Sequence, residues 1–155
     1  MLIKLESPII LSKVIDIISE LVSEVRIKVN DFGLSITAMD PANVSMVKFI
    51  LKKEFFSVFE TEDEVLGINL DNLRRILKRA SSASSVIMEK SGNLLNIKIQ
   101  DRIKRNFNLS LIDIEKSEKE MPSLEFDSVV EINSQDLADC IDDCLVVSDS
   151  CSFFV

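Results

Sequence analysis

Arg74, Arg75, Lys78 and Arg79 place four cations within six residues of a chain that is otherwise strongly acidic. Cations three or four residues apart on a helix can follow a row of phosphates without reading bases, which gives salt-dependent, sequence-independent affinity. The same spacing describes a solvated helix face with cations near the helix C-terminus, and that is the commoner origin of such a pattern. A second group, Met39, Val44, Met46, Met121 and Pro122, is apolar. Unbranched, polarizable methionines suit a surface that accepts varied apolar partners, although core packing is their ordinary use.

Other chemistry is hard to assemble. The chain of 155 residues has no His, Trp or Tyr, so no Ser-His-Asp or Cys-His arrangement can form. Gly33, Gly67 and Gly92 are isolated, which leaves no phosphate-cradling loop. Cys140 and Cys144 stand one helical turn apart without a histidine or a second close Cys pair, so small buried residues are expected rather than metal ligands. Glu60, Glu62, Asp63 and Glu64 lack the glycine and alternating ligands of a calcium loop. No enzyme activity, metal or cofactor is expected. Eighteen basic against 26 acidic residues give a net charge of −8, so any nucleic-acid binding must be a local property. Three cysteines crowded near the C-terminus fit a reducing intracellular compartment, and charges interrupt every apolar run well short of a membrane span. The length suits one domain of about 100–150 residues and part of another.

The elements that must position these residues follow from periodicity. Leu2 to Leu5 reads as a strand, and Ser7 and Pro8 as the cap and first position of a helix with Leu11, Val14, Ile15, Ile18, Leu21 and Val22 on one stripe. Alternation over Val25 to Val29 and Leu34 to Ala38 about the Asn30-Asp31-Phe32-Gly33 turn predicts a hairpin. Strands are expected at Val44 to Leu51 and Val65 to Asn69. Asn69 caps a second helix whose Leu70, Leu73, Ile76, Leu77 and Ala80 face inward and whose cations face out. Val86 to Glu89, Leu95 to Ile99 and Arg105 to Ile112 complete an α+β pattern of helices between antiparallel runs. The charged stretch from Glu115 to Leu124, containing Pro122, reads as a linker. Beyond it, a strand over Ser128 to Ile132 and a helix capped by Ser134, with Leu137, Cys140, Ile141, Cys144 and Leu145 on one face, repeat the opening of the chain. Ser150 to Val155 would begin another strand.

The segment from Gly33 to Val47, with Met39-Asp40-Pro41-Ala42-Asn43-Val44-Ser45-Met46 at its centre, resembles the signature region of DNA sliding clamps of the proliferating cell nuclear antigen family. The likeness continues in order through Leu66-Gly67-Ile68-Asn69-Leu70, Ile76-Leu77-Lys78, Met121-Pro122, Ser134 and Ala138. The resemblance implies a clamp domain of two helices packed on antiparallel sheet at residues 1–114. A connector at 115–126 and an incomplete second copy at 127–155 would follow.

It also implies a non-enzymatic processivity factor, three subunits of which encircle duplex DNA inside the cell. Lys13, Arg75 and Lys78 match pore-facing basic positions, with Arg74 and Arg79 beside them. Met39, Val44, Met46, Met121 and Pro122 match the pocket that receives a short clamp-binding motif from replication and repair proteins. Arg105, Phe107, Leu109 and Leu111 fall on the strand that would meet a neighbouring clamp subunit. A clamp loader is a further implied partner.

Two departures stand out. Asp139, Asp142 and Asp143 occupy a third helix on which the family usually places pore-facing arginines, and most of a second domain is missing. A truncated clamp chain, a subunit of a specialised heteromeric or checkpoint clamp, and a small protein-interaction module that never encircles DNA are the readings carried forward.

Overall fold

A computed structural model describes residues 1–115 and 122–154, and the chain divides into two compact units, Met1–Met121 and Pro122–Val155. In the first unit the elements run β1 (Leu2–Leu5), α1 (Ile9–Ser19), β2 (Glu24–Asn30), β3 (Gly33–Met39) and β4 (Met46–Lys52). A 3₁₀ turn at Lys53–Phe55 leads to β5 (Val58–Glu60), β6 (Glu64–Asn69), α2 (Leu70–Leu77), β7 (Ser85–Ser91), β8 (Leu94–Gln100) and β9 (Lys104–Ser110). Among the described residues of the second unit the regular element is α3 (Ser134–Leu145). No described helix is long and apolar enough to cross a membrane.

The antiparallel strands form two sheets, ordered β5-β1-β7-β8-β9 and β4-β3-β2-β6. Strand, helix and three strands occur twice, as β1-α1-β2-β3-β4 and β6-α2-β7-β8-β9. The first strand of each set is exchanged: β1 pairs with β7, and β6 with β2. Each half therefore completes the other's sheet, and neither can bury its apolar face alone. Ile15 and Ile18 of α1, Leu70, Leu73 and Leu77 of α2, and Ile27, Ile36, Ile68, Val86, Ile97 and Ile99 of the sheets form one continuous core. Their burial is what holds the helices in place.

Local chemistry explains the boundaries. Asn69 Oδ1 accepts the Asn72 backbone N–H at 3.1 Å and caps α2 as its residue type predicts. At α1 the expected Ser7 cap is not made: Pro8 stands at the N-cap position without a side-chain bond, and its carbonyl accepts the Ser12 N–H at 2.8 Å. At α3 it is Asn133, not Ser134, that caps, accepting the Gln135 N–H at 2.8 Å.

The last strand ends at Ser110 rather than Ile112, because the chain there leaves one sheet for the other. Leu111 still bonds to Asn93 O at 2.9 Å, while the Ile112 N–H donates to Gly67 O at 3.0 Å. A Cβ on Gly67 would lie 2.0 Å from Ile112 O, so only glycine lets this segment lie along β6.

Two expected strands are absent. Residues 128–132 and 150–154 are irregular, since no described strand of their unit offers a ladder, and Val129 stands 92% exposed. Conversely, β5 carries no strand signal of its own and is held by its pairing with β1, Leu2 opposite Glu60.

Candidate functional site

α2 ends at Leu77, short of the expected Ala80, so Lys78 is its C-cap and Arg79 lies in the turn beyond, and the cations of this segment divide into two groups. Arg74 turns back to α1, where its Nε bonds the Asp16 carboxylate and its Nη2 lies 3.5 Å from Glu20. Lys78 Nζ reaches the same Asp16 at 3.0 Å but stays half exposed. Arg75 and Arg79 point outward, as does Lys13 one turn before Asp16 on α1, and none of the three makes an ion pair with a described residue. Hydrogen bonds from Lys78 and then Arg74 hold the Asp16 carboxyl below its ordinary range, and the Asp16 bond raises the Arg74 guanidinium in turn. Of the five predicted phosphate-facing cations, Lys13, Arg75 and Arg79 present their charge to solvent, Lys78 is half exposed but shares Asp16, and Arg74 serves the packing of the helices. Asp16 and Glu20, four residues apart on α1, were the missed partners. Their spacing was visible, but nothing local shows which helix they face.

The methionine group gathers at the far end of the second sheet. Met39 pairs with Met46 across β3 and β4, and the intervening turn is tied by Asp40. Its Oδ1 accepts the N–H groups of Val44 at 2.8 Å and Ser45 at 2.7 Å, while Asn43, at φ 57°, donates its own N–H to Asp40 O at 3.0 Å. These bonds, Ser45 foremost, hold the Asp40 carboxyl below its ordinary range. Met39 and Met46 line a cavity of about 700 Å³ on the sheet face turned away from the core, together with Pro41, Thr37, Arg26 and Lys48. Val44 does not line it and projects from the turn, 85% exposed. Met121 lies outside the described residues, and Pro122 is an exposed residue of the second unit.

On β9, Arg105 bonds Asp101 at 3.2 Å and the Arg79 carbonyl at 3.0 Å. Asp101 is anchored by the Ile103 N–H at 2.8 Å and by the buried Ser84 at 3.0 Å. Leu109 and Leu111, expected at a subunit interface, are 5% and 7% exposed and belong to this unit's own core. Phe107 packs half-buried against the same core. The strand nevertheless ends its sheet, so the backbone edge, rather than those side chains, faces outward. The apolar residues of α3 are not covered: none of its side chains is fully buried, and Asp139, Asp142 and Asp143 are exposed. Among the described residues no cluster of Cys, Asp and Glu could hold a metal ion.

Two antiparallel sheets backed by a pair of helices with an outward cationic face define a DNA-clamp fold, and solved structures agree. A proliferating cell nuclear antigen from Thermococcus kodakaraensis superimposes with a TM-score of 0.74 at 29% identity, over 79% of this chain and 51% of that one. A PCNA2–PCNA3 complex from Sulfolobus tokodaii gives 0.82 over 96% of this chain and 61% of that one, at 20% identity. Residues 1–120 match the proliferating cell nuclear antigen N-terminal domain, and the chain belongs to that family. Among curated relatives, the DNA polymerase sliding clamp of Pyrococcus furiosus is 38% identical over 144 residues, 92% of this chain and 58% of the relative. That of Thermococcus gammatolerans is 39% identical over 137 residues, 87% and 55%. The chain thus spans little more than half the length of these relatives.

Proposed function

We propose that this chain supplies the first domain of a DNA sliding clamp, a non-enzymatic intracellular factor that holds replication and repair proteins on duplex DNA. In this reading residues 1–114 are the clamp domain, 115–126 the connector and 127–155 the start of a second copy. Lys13, Arg75, Lys78 and Arg79 face phosphates, and the cavity edged by Met39 and Met46 receives a short motif from a partner. The clamp loader and other clamp subunits, meeting the free edge of β9, are the remaining partners. The observation that carries the reading is the outward-facing set of Arg75 on α2, Lys78 at its C-cap and Arg79 in the turn just beyond, on an element whose opposite side is fixed by Leu70, Leu73 and Leu77. Such a face contacts backbone without base readout, as sliding requires.

Duplex binding measured by fluorescence anisotropy between 50 and 200 mM salt tests it. The expected log–log slope is about −0.9 for each phosphate contact, with a fall on making Arg75→Glu and Arg79→Glu together. Binding that ignores both salt and the two substitutions would overturn the DNA reading and leave a protein-interaction module. A heteromeric ring is the second reading. It is supported by the exposed Asp139, Asp142 and Asp143 of α3, which repel phosphate and suit a basic neighbour.

A further inference from the structure

On the outer face of the second sheet, one row of side chains crosses three strands beside the methionine pair. Thr37 stands opposite Lys48 across β3 and β4, and the β2–β3 register, Ile27 opposite Ile36, puts Arg26 on Thr37's other side. The inward neighbours Val25, Ile27, Ile36 and Ala38 are buried, so Arg26, Thr37 and Lys48 share the outward face and line the cavity with Met39 and Met46. Along the strands the two rows are two residues apart, about 7 Å.

The chain has an excess of carboxylates, and Lys4, Arg74, Lys78, Lys90, Lys98 and Arg105 all bond one. Arg26 and Lys48, like Lys13, Arg75 and Arg79, bond none among the described residues, but of these five only Arg26 and Lys48 line the cavity. Glu24 and Glu115 line the same cavity without pairing with either, whereas Lys28, next along the face, is engaged. The Nη1 of Arg26 is buried and has no hydrogen-bond partner. An orphaned cationic donor is costly, and an arriving carboxylate would satisfy it with charge-assisted bonds.

We infer that Arg26 and Lys48 form a carboxylate subsite that takes an Asp or Glu side chain of the peptide whose apolar residue packs on Met39 and Met46. The inference rests on the partner-pocket reading and adds to it a preference for an acidic residue close to the apolar anchor. A nucleic-acid phosphate fits the same charges less well, because it brings no apolar group to the adjoining Met46 and Met39 side chains. The Arg26 fork suits a planar carboxylate, and Lys48 adds a second point charge.

The test uses the whole chain and labelled ten-residue peptides carrying a Leu-aromatic anchor. A single Asp is placed in turn at each position two to five residues from the anchor, with Asn twins as controls. One position should bind about ten-fold tighter than its Asn twin, a gain that fades with salt and falls below about two-fold in Lys48→Met and in Arg26→Met. Lys48→Glu should invert the preference, so that a Lys peptide replaces the Asp peptide. Equal binding of every Asp and Asn pair, or a gain that survives both Met substitutions, would overturn the subsite while leaving the pocket reading intact. Failure of every peptide to bind would overturn both. Duplex DNA whose affinity falls in Lys48→Met, with peptides unaffected, would reassign the row to phosphate.

Discussion

Lys78 Nζ, at the C-cap of α2, lies 3.0 Å from Asp16 Oδ1 of α1, so one of the cations best placed for phosphate already has a carboxylate partner. The same carboxylate holds Arg74. Asp16 therefore pins the two helices side by side, and it subtracts charge from the face that is proposed to meet DNA. These two effects oppose one another in function, because a rigid pair of helices presents Arg75 and Arg79 in a defined place while a free Lys78 would bind more strongly. Both groups are partly solvated, so the ion pair is weakened by salt and open to competition by a phosphate.

Asp16→Asn should accordingly strengthen duplex binding several-fold at 50 mM salt and steepen the salt slope by up to about one phosphate equivalent. Anisotropy titrations at several salt concentrations, beside the wild-type chain, check both numbers. An unchanged affinity would mean that Lys78 never faces phosphate.

Gly67→Ala should destabilise the first unit by about 1–3 kcal/mol, because the new Cβ meets Ile112 O at 2.0 Å and the Ile112–Gly67 hydrogen bond must part. Gly92→Ala is the comparison: its φ of 58° strains an L-residue, but no atom lies within 4 Å of the added carbon. Its cost should stay near about 1 kcal/mol. Urea unfolding of the two variants would rank them, and a larger loss at Gly92 would contradict the packing described for β6.

Leu77→Ala removes a fully buried side chain from the helix that carries the cations. A loss of about 2–5 kcal/mol in chemical unfolding is expected, with DNA affinity falling only as the folded fraction falls. Affinity lost while the chain remains folded would show that Leu77 also sets the orientation of Arg75 and Arg79.

How far the sequence reaches is seen by comparing elements. The hairpin of β2 and β3 was readable because its alternation and its Asn30–Gly33 turn are local, and Asn69 announced α2 for the same reason. β5 was not readable, since three residues acquire their strand geometry from β1, more than fifty positions away. The same limit governs the candidate site. Spacing located the cations of α2, yet only the packing of α1 against α2 separates Arg74 from its neighbours. Leu109 and Leu111 alternate as strand residues should, but alternation does not say which face is covered. Arg26, Thr37 and Lys48 come from three different strands and share no local pattern at all.

Asp40 links the chemistry of the turn to the pH dependence of the whole unit. Its carboxylate accepts two backbone N–H bonds in the folded chain, so its pKa is lower folded than unfolded. A group of that sign contributes stability above its unfolded pKa of about 3.9 and loses it as the pH falls through the lower folded value. Asp16 and Asp101 are shifted in the same direction, so the chain should be most acid-sensitive below about pH 4. Asp40→Asn keeps an oxygen for the two N–H groups but not the charge. Its stability should lie below wild type at pH 7, and the gap should narrow as the pH falls below about 3.9 toward the lower folded value. Asp40→Ala loses the bonds as well, which frees Val44 and Ser45 and should weaken peptide binding at the Met39–Met46 cavity at every pH. Thermal unfolding of the three chains from pH 3 to pH 7 separates the charge from the hydrogen bonds. A constant gap between wild type and Asp40→Asn across that range would mean that the Asp40 charge has no part in holding the turn.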